Sequence, residues 1–265
     1  MKTLWRYVRL YGYFLSFSFS KAFEFRFDFY MRIIMDLCYY AVAISFFRTV
    51  FLHTTIVGGW NESQMMVFVS GYLIVDAINM TVFANNLWFL PTIINNGELD
   101  YYLVRPVSSL FFLSLREFAA NSFLNLICAL GVLAWALHGY TPFPGFGKVI
   151  LFLLMLLNGS IIFFCMNMMA NTLVFWTHSS DGFGDLVWMM AKLAERPDGI
   201  FHGAIRFVIT FILPFAIISS FPARIIIEQF NWGILLHMFA MSGAFLALLV
   251  GLWSLALKNY SSASS

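Results

Sequence analysis

Two aspartates, Asp36 and Asp76, lie within long apolar stretches, where an ionisable group is costly and therefore a candidate for function. Arg32 precedes Asp36 by four residues, so a local ion pair accounts for that carboxylate. Asp76 is followed by Asn79 and has no basic residue near it in sequence. This pattern favours a hydrogen bond to a neighbouring helix or to a second copy of the chain. Substrate contact and a proton relay are the alternatives.

The sharpest enzyme-like pattern is at residues 182–185, which read Gly-Phe-Gly-Asp and match the G-x-G-D of intramembrane aspartyl proteases. Such enzymes need a second aspartate, usually after a tyrosine, because two carboxylates share a proton, and the sequence has no Tyr-Asp pair. The five histidines are scattered and never stand at zinc-ligand spacing. No G-x-x-x-x-G-K-[ST] phosphate loop occurs. We therefore predict no catalytic, cofactor-binding or metal-binding residue in this chain.

The composition shows where the chain must reside. Hydrophobic residues make up 61% and charged residues 11%, whereas soluble domains have roughly 45–50% and about 25%. The mean hydropathy is +0.83. Because a soluble fold of 265 residues has no use for so much apolar surface, the excess must face lipid. The sequence predicts an all-α, polytopic membrane protein, and its net charge of only +2 argues against a nucleic-acid partner.

Six apolar segments are long enough to cross a bilayer, for which a helix needs roughly 20 residues. The fifth is the weakest, because Pro214 interrupts it. The predicted spans are residues 33–52, 65–90, 118–137, 149–176, 205–221 and 233–257. They form a membrane domain of residues 33–258.

The distribution of Lys and Arg predicts the orientation. With the N-terminus in the cytoplasm, only Arg48, Lys148 and Arg224 of the 15 Lys and Arg residues fall outside, which leaves twelve inside. Six spans return the C-terminus to the cytoplasm. Two loops, residues 91–117 and 178–204, are then predicted to face inward.

The first 32 residues form a separate segment. "FEFRFDFYM" alternates as a strand would, but Lys21, Glu24, Asp28, Arg32 and Asp36 recur at steps of three or four, as on one stripe of a helix. At a bilayer surface a helix satisfies its own backbone hydrogen bonds and a lone strand does not. We predict an amphipathic helix in the inner interface over residues 1–32, with a basic tail as the alternative. Residues 259–265 are predicted to be disordered.

The stretch "NNGELDYYLVRPVSS", residues 95–109, is a compact polar insert between apolar segments. The glycine can end the preceding helix, and the carboxylates after it suit the start of a new turn, which the proline ends. The insert is thus predicted to be a short helix presented as a docking surface. Its defining residues are Gly97, Glu98, Leu99, Asp100, Leu103, Arg105 and Pro106.

Two motifs carry a family resemblance. "GELDYYLVRP", in the insert, and "ERPDGIFHGAIRFVITFILPFAIISSFPA", residues 195–223, resemble the six-span group of ABC-2-type transporter permeases called ABC-2 family transporter proteins. The group commonly has Tyr-Pro where this chain has Arg196-Pro197. The resemblance extends over essentially the whole chain.

The resemblance implies a fold and a function. Such permeases pair into a dimer, as two copies or with a sister permease, and each half docks a separate cytoplasmic ATPase that binds ATP and Mg²⁺. Residues 97–106 would be the coupling helix, with Glu98, Asp100 and Arg105 as polar contacts. The N-terminal segment would be the interfacial connecting helix. The chain would be a non-enzymatic subunit of an exporter in a prokaryotic plasma membrane.

The resemblance also implies roles for other residues. A re-entrant pair of short helices near residues 221–231 would close an outer gate, and the inward loop 178–204 would also receive motion from the ATPase. The gate residues are Pro214, Pro222, Arg224 and Glu228, and those of the second inward loop are Arg196, Pro197 and Asp198. Asp36, Asp76 and Asn79 form the predicted intramembrane polar set.

Other readings stay open at this point. The chain could instead be a scaffold or sensor that docks a cytoplasmic partner, and an intramembrane hydrolase is the third reading. The cargo is undecided among lipids, amphipathic drugs and lipid-linked sugars. Import is an alternative to export.

Overall fold

A computed structural model describes residues 2–24, 26–178 and 183–260, and the regular elements of that part are helical. Two short elements of that part are not α-helical, a 3₁₀ turn at Asp198–Ile200 and a π-helix at Val208–Ile212. The α-helices are α1 (Lys2–Glu24), α2 (Arg26–Phe51), α3 (Glu62–Val82), α4 (Ala84–Asn95), α5 (Asp100–Leu103), α6 (Ser109–Leu115), α7 (Phe123–His138), α8 (Phe146–Thr172), α9 (Val174–Thr177), α10 (Phe183–Ala191), α11 (Gly203–Phe207), α12 (Phe215–Ile218), α13 (Ser220–Ile227) and α14 (Trp232–Asn259).

Four of these segments have the length and apolar composition to cross a membrane, namely Tyr30–Phe51, Glu62–Val82, Phe146–Thr177 and Trp232–Asn259. The predicted all-α, polytopic class is thereby confirmed. The helix Phe123–His138 is apolar but shorter, and so is Gly203–Ile212. The count of six spans and the orientation stay predictions.

Helices α3 and α8 form the centre of the bundle. In their apolar windows 72% and 61% of residues are buried, against 11% in the window of α2 and 28% in that of α14. Apolar helices with so little of their surface buried must contact lipid or another protein chain, because their exposed apolar side chains are unfavourable in water. Burial therefore separates an inner pair of helices from outer helices that remain available for contacts.

The two ends of the bundle are named here after the glycines that lie at them, Gly58 and Gly97. At the Gly58 end lie the loops 52–61 and 139–145, where Arg48 lies 3.6 Å from Glu62 and stacks over Trp135. At the Gly97 end lie α5 and α6. There Asn95 Nδ2 donates to the carbonyl of His178 at 3.4 Å, which joins the ends of α4 and α9.

Residues 183–200 pass from the Gly97 end to the Gly58 end, which corrects the prediction that 178–204 is a loop at the same end as 91–117. Gly184 packs against Asn171 near the end of α8, and Trp188 meets Phe163 in the middle of α8. At Gly199, a Cβ would lie only 2.1 Å from the carbonyl oxygen of Gly58. The mean hydropathy of a sequence window does not reveal this crossing, because polar side chains of residues 183–200 lower the mean even where they are buried against protein and not against lipid.

The predicted fifth span, residues 205–221, is a hairpin in the structure. One arm is α11 with the π-helix and the other is α13, joined at the tip through Pro214 and α12. The tip lies against the middle of α8, where Gly159 meets the carbonyl of Ile218. The second arm returns to the Gly58 end, where Lys148 Nζ donates to the carbonyl of Glu228 at 3.3 Å. The re-entrant element expected near 221–231 thus begins about eighteen residues earlier, at Gly203.

Pro214 explains why this segment cannot continue as one helix. The π-helix Val208–Ile212 immediately precedes it, and proline lacks the amide hydrogen that a further helical turn requires. Leu213 and Pro214 leave the helical conformation, with ψ values of 83° and 51°. The chain therefore reverses here.

Cysteine labelling tests the placement of the hairpin. In a background with Cys38, Cys128 and Cys165 replaced by serine, the exposed positions for new cysteines are Ile56, Tyr101 and His202. We expect His202→Cys to react with a membrane-impermeant maleimide from the same side as Ile56→Cys and from the side opposite to Tyr101→Cys. Co-labelling of positions 202 and 101 from one side would contradict the structure. This comparison holds for either orientation in the membrane.

Helix α1 packs along α6 at the Gly97 end. The Tyr7 ring lies 4.7 Å from that of Phe111 and the Phe14 ring 5.0 Å from that of Phe112. The Tyr7 hydroxyl also accepts a hydrogen bond from the Ser108 amide at 3.0 Å. The opposite face exposes large apolar rings, as a helix in the membrane interface does, at Trp5, Tyr13 and Phe17. The side chains of Glu24 and Asp28, from the predicted stripe, lie outside the described residues.

The C-terminal end departs from the predicted tail at its first residues. Asn259 is the last residue of α14, and the Tyr260 ring meets Phe175 with 6.0 Å between ring centroids. Residues 261–265 lie outside the part of the chain that the structure describes.

Candidate functional site

Gly97 ends α4 in a left-handed conformation. Its φ is +73°, a value that costs glycine little and other residues much. The Glu98 amide then donates to the Ile93 carbonyl at 3.0 Å and the Gly97 amide to that of Ile94 at 3.2 Å. This pattern caps the last turn of a helix. It directs residues 98–106 across the Gly97 end, as the sequence predicts.

The insert is anchored by one side chain and presents others. Leu99 is 0% exposed and packs in the apolar cluster with Leu90 and Ile94. Beside it, Tyr101 is 71% and Val104 83% exposed. A rigid base that displays apolar side chains to the surroundings is typical of a docking surface.

The polar residues of the insert have different roles. Glu98 is exposed, and its carboxylate accepts a hydrogen bond from Asn96 Nδ2 at 3.2 Å. Arg105 instead turns back: its Nε donates to the Tyr101 carbonyl at 3.2 Å and its guanidinium lies 4.8 Å from the Phe112 ring centre. Arg105 thus stabilises the shape of the insert.

Several contacts join the insert to the rest of the Gly97 end. The Arg116 guanidinium donates to the Tyr102 hydroxyl, and Trp253 Nε1 donates to Ser109 Oγ at 3.1 Å. Burial, and next the negative charge of Asp100, raise the pKa of the Tyr260 hydroxyl. The insert therefore contacts α6 and the end of α14, and α6 in turn contacts α1.

The sequence profile of the family described as ABC-2 family transporter protein matches residues 37–264. The chain belongs to this family. The recognition made from the two motifs is thereby confirmed. No curated protein and no solved structure matches the chain.

Membership of the ABC-2 family makes the chain the permease component of an ABC transporter, embedded in a membrane by several helices. Membrane domains of this family are not themselves catalytic, and membership implies an ABC ATPase as the partner. The insert at residues 97–106 is the exposed, anchored element of this ABC-2 permease at the Gly97 end.

The intramembrane polar residues of the permease divide by their partners. Asn125 Nδ2 of α7 donates to the Asp36 carboxylate, so Asp36 is bonded to a neighbouring helix as well as having Arg32 nearby. Asn79 donates to the Val75 carbonyl of its own helix at 2.9 Å. Asp76 receives no hydrogen bond from any residue in the described ranges. Within the described residues a bond between spans is found at Asp36, and a bond of Asp76 to a second copy of the chain stays a prediction.

The residues predicted for the second inward loop and those predicted for the outer gate meet at the Gly58 end. The sequence alone places these two groups on opposite sides of the membrane. Arg224 Nη2 lies 2.5 Å and Arg206 Nη2 3.2 Å from one oxygen of Asp198, which is 2% exposed. The Asp198 amide donates to Ser220 Oγ at 3.1 Å, and Arg224 also pairs with Glu228 at 3.7 Å. This ionic cluster holds the hairpin to the crossing segment.

The neighbours of Asp198 assist this arrangement. Pro197 is buried and its ring faces the Cα of Gly58, whose φ of +60° suits glycine. Pro222 is buried in the first turn of α13, where a missing amide hydrogen costs little. Arg196 is exposed beside Glu195.

Sequence reasoning missed a second group, at Glu195. The hydroxyls of Tyr39 and Tyr72 both donate to one of its carboxylate oxygens, at 3.3 and 3.0 Å. A sequence signal was present, since Tyr39 stands three residues after Asp36 and Tyr72 four before Asp76, on shared helix faces. Glu195 itself gave no signal, because it is brought in from 123 positions beyond Tyr72.

Proposed function

We propose that the chain is one half of a dimeric, ATP-driven exporter in a prokaryotic plasma membrane, and that residues 97–106 are its coupling helix. The observation that carries this proposal is the anchored insert, with Leu99 fully buried and Tyr101 and Val104 among the most exposed apolar residues. Such a surface suits an apolar groove on a soluble partner. The Gly97 end would then face the cytoplasm.

Contacts around the insert suggest how motion is transmitted. A push on α5 reaches α6 through Tyr102 and Arg116, and α1 through the contact of Tyr7 with Ser108. The buried Leu99 carries the same push into the core at α4 and α8. Rigid contacts of this kind move helices as units.

The hairpin 203–227 is proposed as the outer gate. It reaches from the Gly58 end to the middle of α8, and its ionic cluster at Asp198 would hold it closed. Pro214, Pro222, Arg224 and Glu228 keep their proposed gate role. Arg196, Pro197 and Asp198 join them there, because they lie at this end and not beside the coupling helix.

The second half of the exporter is proposed to cover α2, whose apolar window is only 11% buried. It would be a further copy of this chain or a sister permease. ATP and Mg²⁺ would bind to the partner ATPase, so this chain would hold no cofactor of its own.

Charge reversal in the coupling helix tests the proposal. We expect the double substitution Glu98→Lys, Asp100→Lys to lower co-purification of the ATPase from the native host in mild detergent by at least tenfold, because two attractive contacts become repulsive. Membrane insertion should be unchanged. Glu62→Lys, the same change at the exposed Gly58 end, is the matched control and should leave the association intact.

The outcomes separate the candidate functions. Unaltered association of the double variant would refute the coupling role of residues 97–106. Absence of any ATPase with the unsubstituted protein would favour a scaffold or sensor instead. Mass spectrometry of the same sample would distinguish one permease chain from two.

A further inference from the structure

A cavity of about 250 Å³ lies inside the bundle between α2, α3, α8 and residues 191–195. Three carboxylates line it, those of Asp36, Asp76 and Glu195, and one ammonium, that of Lys192. The cavity is therefore acidic, with a formal charge of −2 if all four groups are charged. It lies at the level of the hairpin tip, since Ile218 also lines it.

The three carboxylates differ in what the protein offers them. Asp36 accepts a hydrogen bond from Asn125, and Glu195 accepts two from tyrosines. Asp76 is partly exposed and lines the cavity, and no residue of the described ranges donates to it or lies within ion-pair distance. A partly buried carboxylate that has no protein donor is less stabilised than one that has, and Asp36 and Glu195 add like charge from the same cavity. A cation entering the cavity would relieve both effects.

Aromatic rings complete the wall of this acidic cavity. Tyr39, Tyr72, Phe163 and Trp188 all line it. Ring faces attract organic cations, and the attraction is strongest where water is excluded. An anion would meet the carboxylates and the same negative ring faces, so the wall selects by sign of charge.

A second cavity of about 230 Å³ adjoins the first and is apolar on its far side. Its apolar wall comprises Val42, Ala43, Phe46, Phe47 and Val69. The two cavities share three lining residues, Tyr39, Tyr72 and Glu195. The pair therefore offers an acidic compartment beside a hydrocarbon-like one, along the exposed helix α2.

We propose that these adjoining cavities, which share Tyr39, Tyr72 and Glu195, are a binding site for a cationic amphiphile, with its positive group beside Asp76 and its hydrocarbon part against Val42 and Phe46. This inference rests on the proposed transport function, for which it supplies the substrate class. Lys192 lines the first cavity and Arg196 the second, so the formal charge of the whole site is −1 when all five groups are charged. The site lies along α2, the helix that the second half of the exporter is proposed to cover, and at the level of the hairpin tip.

Binding of radiolabelled tetraphenylphosphonium to the purified full chain in lipid nanodiscs tests the acidic compartment. We expect saturable binding above that of empty nanodiscs, and no competition from decanesulfonate, which is amphiphilic and carries the opposite charge. Asp76→Asn should weaken the binding at least tenfold. Glu62→Gln, which removes a carboxylate at the Gly58 end, is the matched control and should leave it unchanged.

Filling the second cavity tests the apolar compartment. We expect decyltrimethylammonium to displace the phosphonium, and Ala43→Trp to weaken this displacement at least tenfold. Displacement by tetramethylammonium, which has no chain, should not change in Ala43→Trp. Equal loss for both competitors would refute the placement of the chain in this cavity.

Three results would overturn the site: no saturable binding, equal binding by Asp76→Asn, or competition by decanesulfonate as strong as that by decyltrimethylammonium. Size-exclusion profiles of the variants establish that they are folded. Co-purification of the ATPase is measured on the same samples. If the ATPase is retained while the phosphonium fails to bind, the cation site is wrong and the transporter function stands.

Discussion

Replacing Arg224 with methionine is expected to destabilise the protein by about 3–5 kcal/mol, because it removes the closer partner of a buried carboxylate. Asp198 is 2% exposed and accepts from Arg224 at 2.5 Å. Only Arg206 would remain, at 3.2 Å and with a side chain that is 48% exposed. Methionine keeps the length of the side chain, so the change is mainly one of charge and hydrogen bonding.

The measurement is the thermal unfolding midpoint of the purified protein in one detergent. Arg48→Met is the matched control, since Arg48 forms an ion pair with Glu62 in which both side chains are more than half exposed. Such pairs contribute about 0–1 kcal/mol. Equal midpoints for Arg224→Met and Arg48→Met would show that the cluster at Asp198 does not hold the hairpin.

A compensating substitution makes the test more specific. Adding Asp198→Leu to Arg224→Met removes the stranded charge and should recover much of the stability. No recovery would mean that Arg224 acts through packing, including its contact with the Phe221 ring at 5.2 Å.

The second large effect is expected from Gly159→Ala in α8. A Cβ at Gly159 would lie 2.6 Å from the carbonyl oxygen and 3.0 Å from the Cα of Ile218. Both are backbone atoms, so the hairpin tip must move away from α8. Alanine stabilises a helix by about 0.8–1.0 kcal/mol relative to glycine. Overpacking, however, typically destabilises a protein by about 1–3 kcal/mol, which equals or exceeds that gain. The net effect is expected to be destabilising.

Gly243→Ala in α14 is the control for Gly159→Ala, because a Cβ there would meet nothing within 4 Å. Its unfolding midpoint should rise, so the two identical substitutions should shift stability in opposite directions. A rise at both positions would contradict the close approach of the hairpin tip to α8. Gly71→Ala is an intermediate case, since its neighbours are side chains of Phe152 and Leu156 that can rearrange.

Some elements could be predicted because their cause is local. The spans predicted at residues 33–52, 149–176 and 233–257 correspond to Tyr30–Phe51, Phe146–Thr177 and Trp232–Asn259. A run of apolar residues is enough to specify such a helix in lipid, where the backbone must satisfy its own hydrogen bonds. The helix end before the polar insert could also be predicted, because Gly97 ends α4 by local backbone geometry.

Other elements depend on partners far away in sequence. The crossing at residues 183–200 contains Glu195 and Asp198, which look like loop residues until Tyr72 and Arg224 are placed beside them. The second predicted span is two helices that meet at Phe83, a break that no proline or glycine marks. Hydropathy counts each residue alone, so it cannot register a polar group that another helix satisfies.

Composition, apolar runs and short motifs are local properties, so they were enough to predict the membrane class, the main apolar helices, the polar insert at residues 95–109 and the ABC-2 family. The tertiary structure decided the rest. It turned a predicted span into a hairpin, moved Arg196, Pro197 and Asp198 to the Gly58 end, and placed Asp76 at the wall of an acidic cavity. The physical reason is that buried polar and charged groups take their positions from distant partners, which only the packed chain brings within hydrogen-bonding distance.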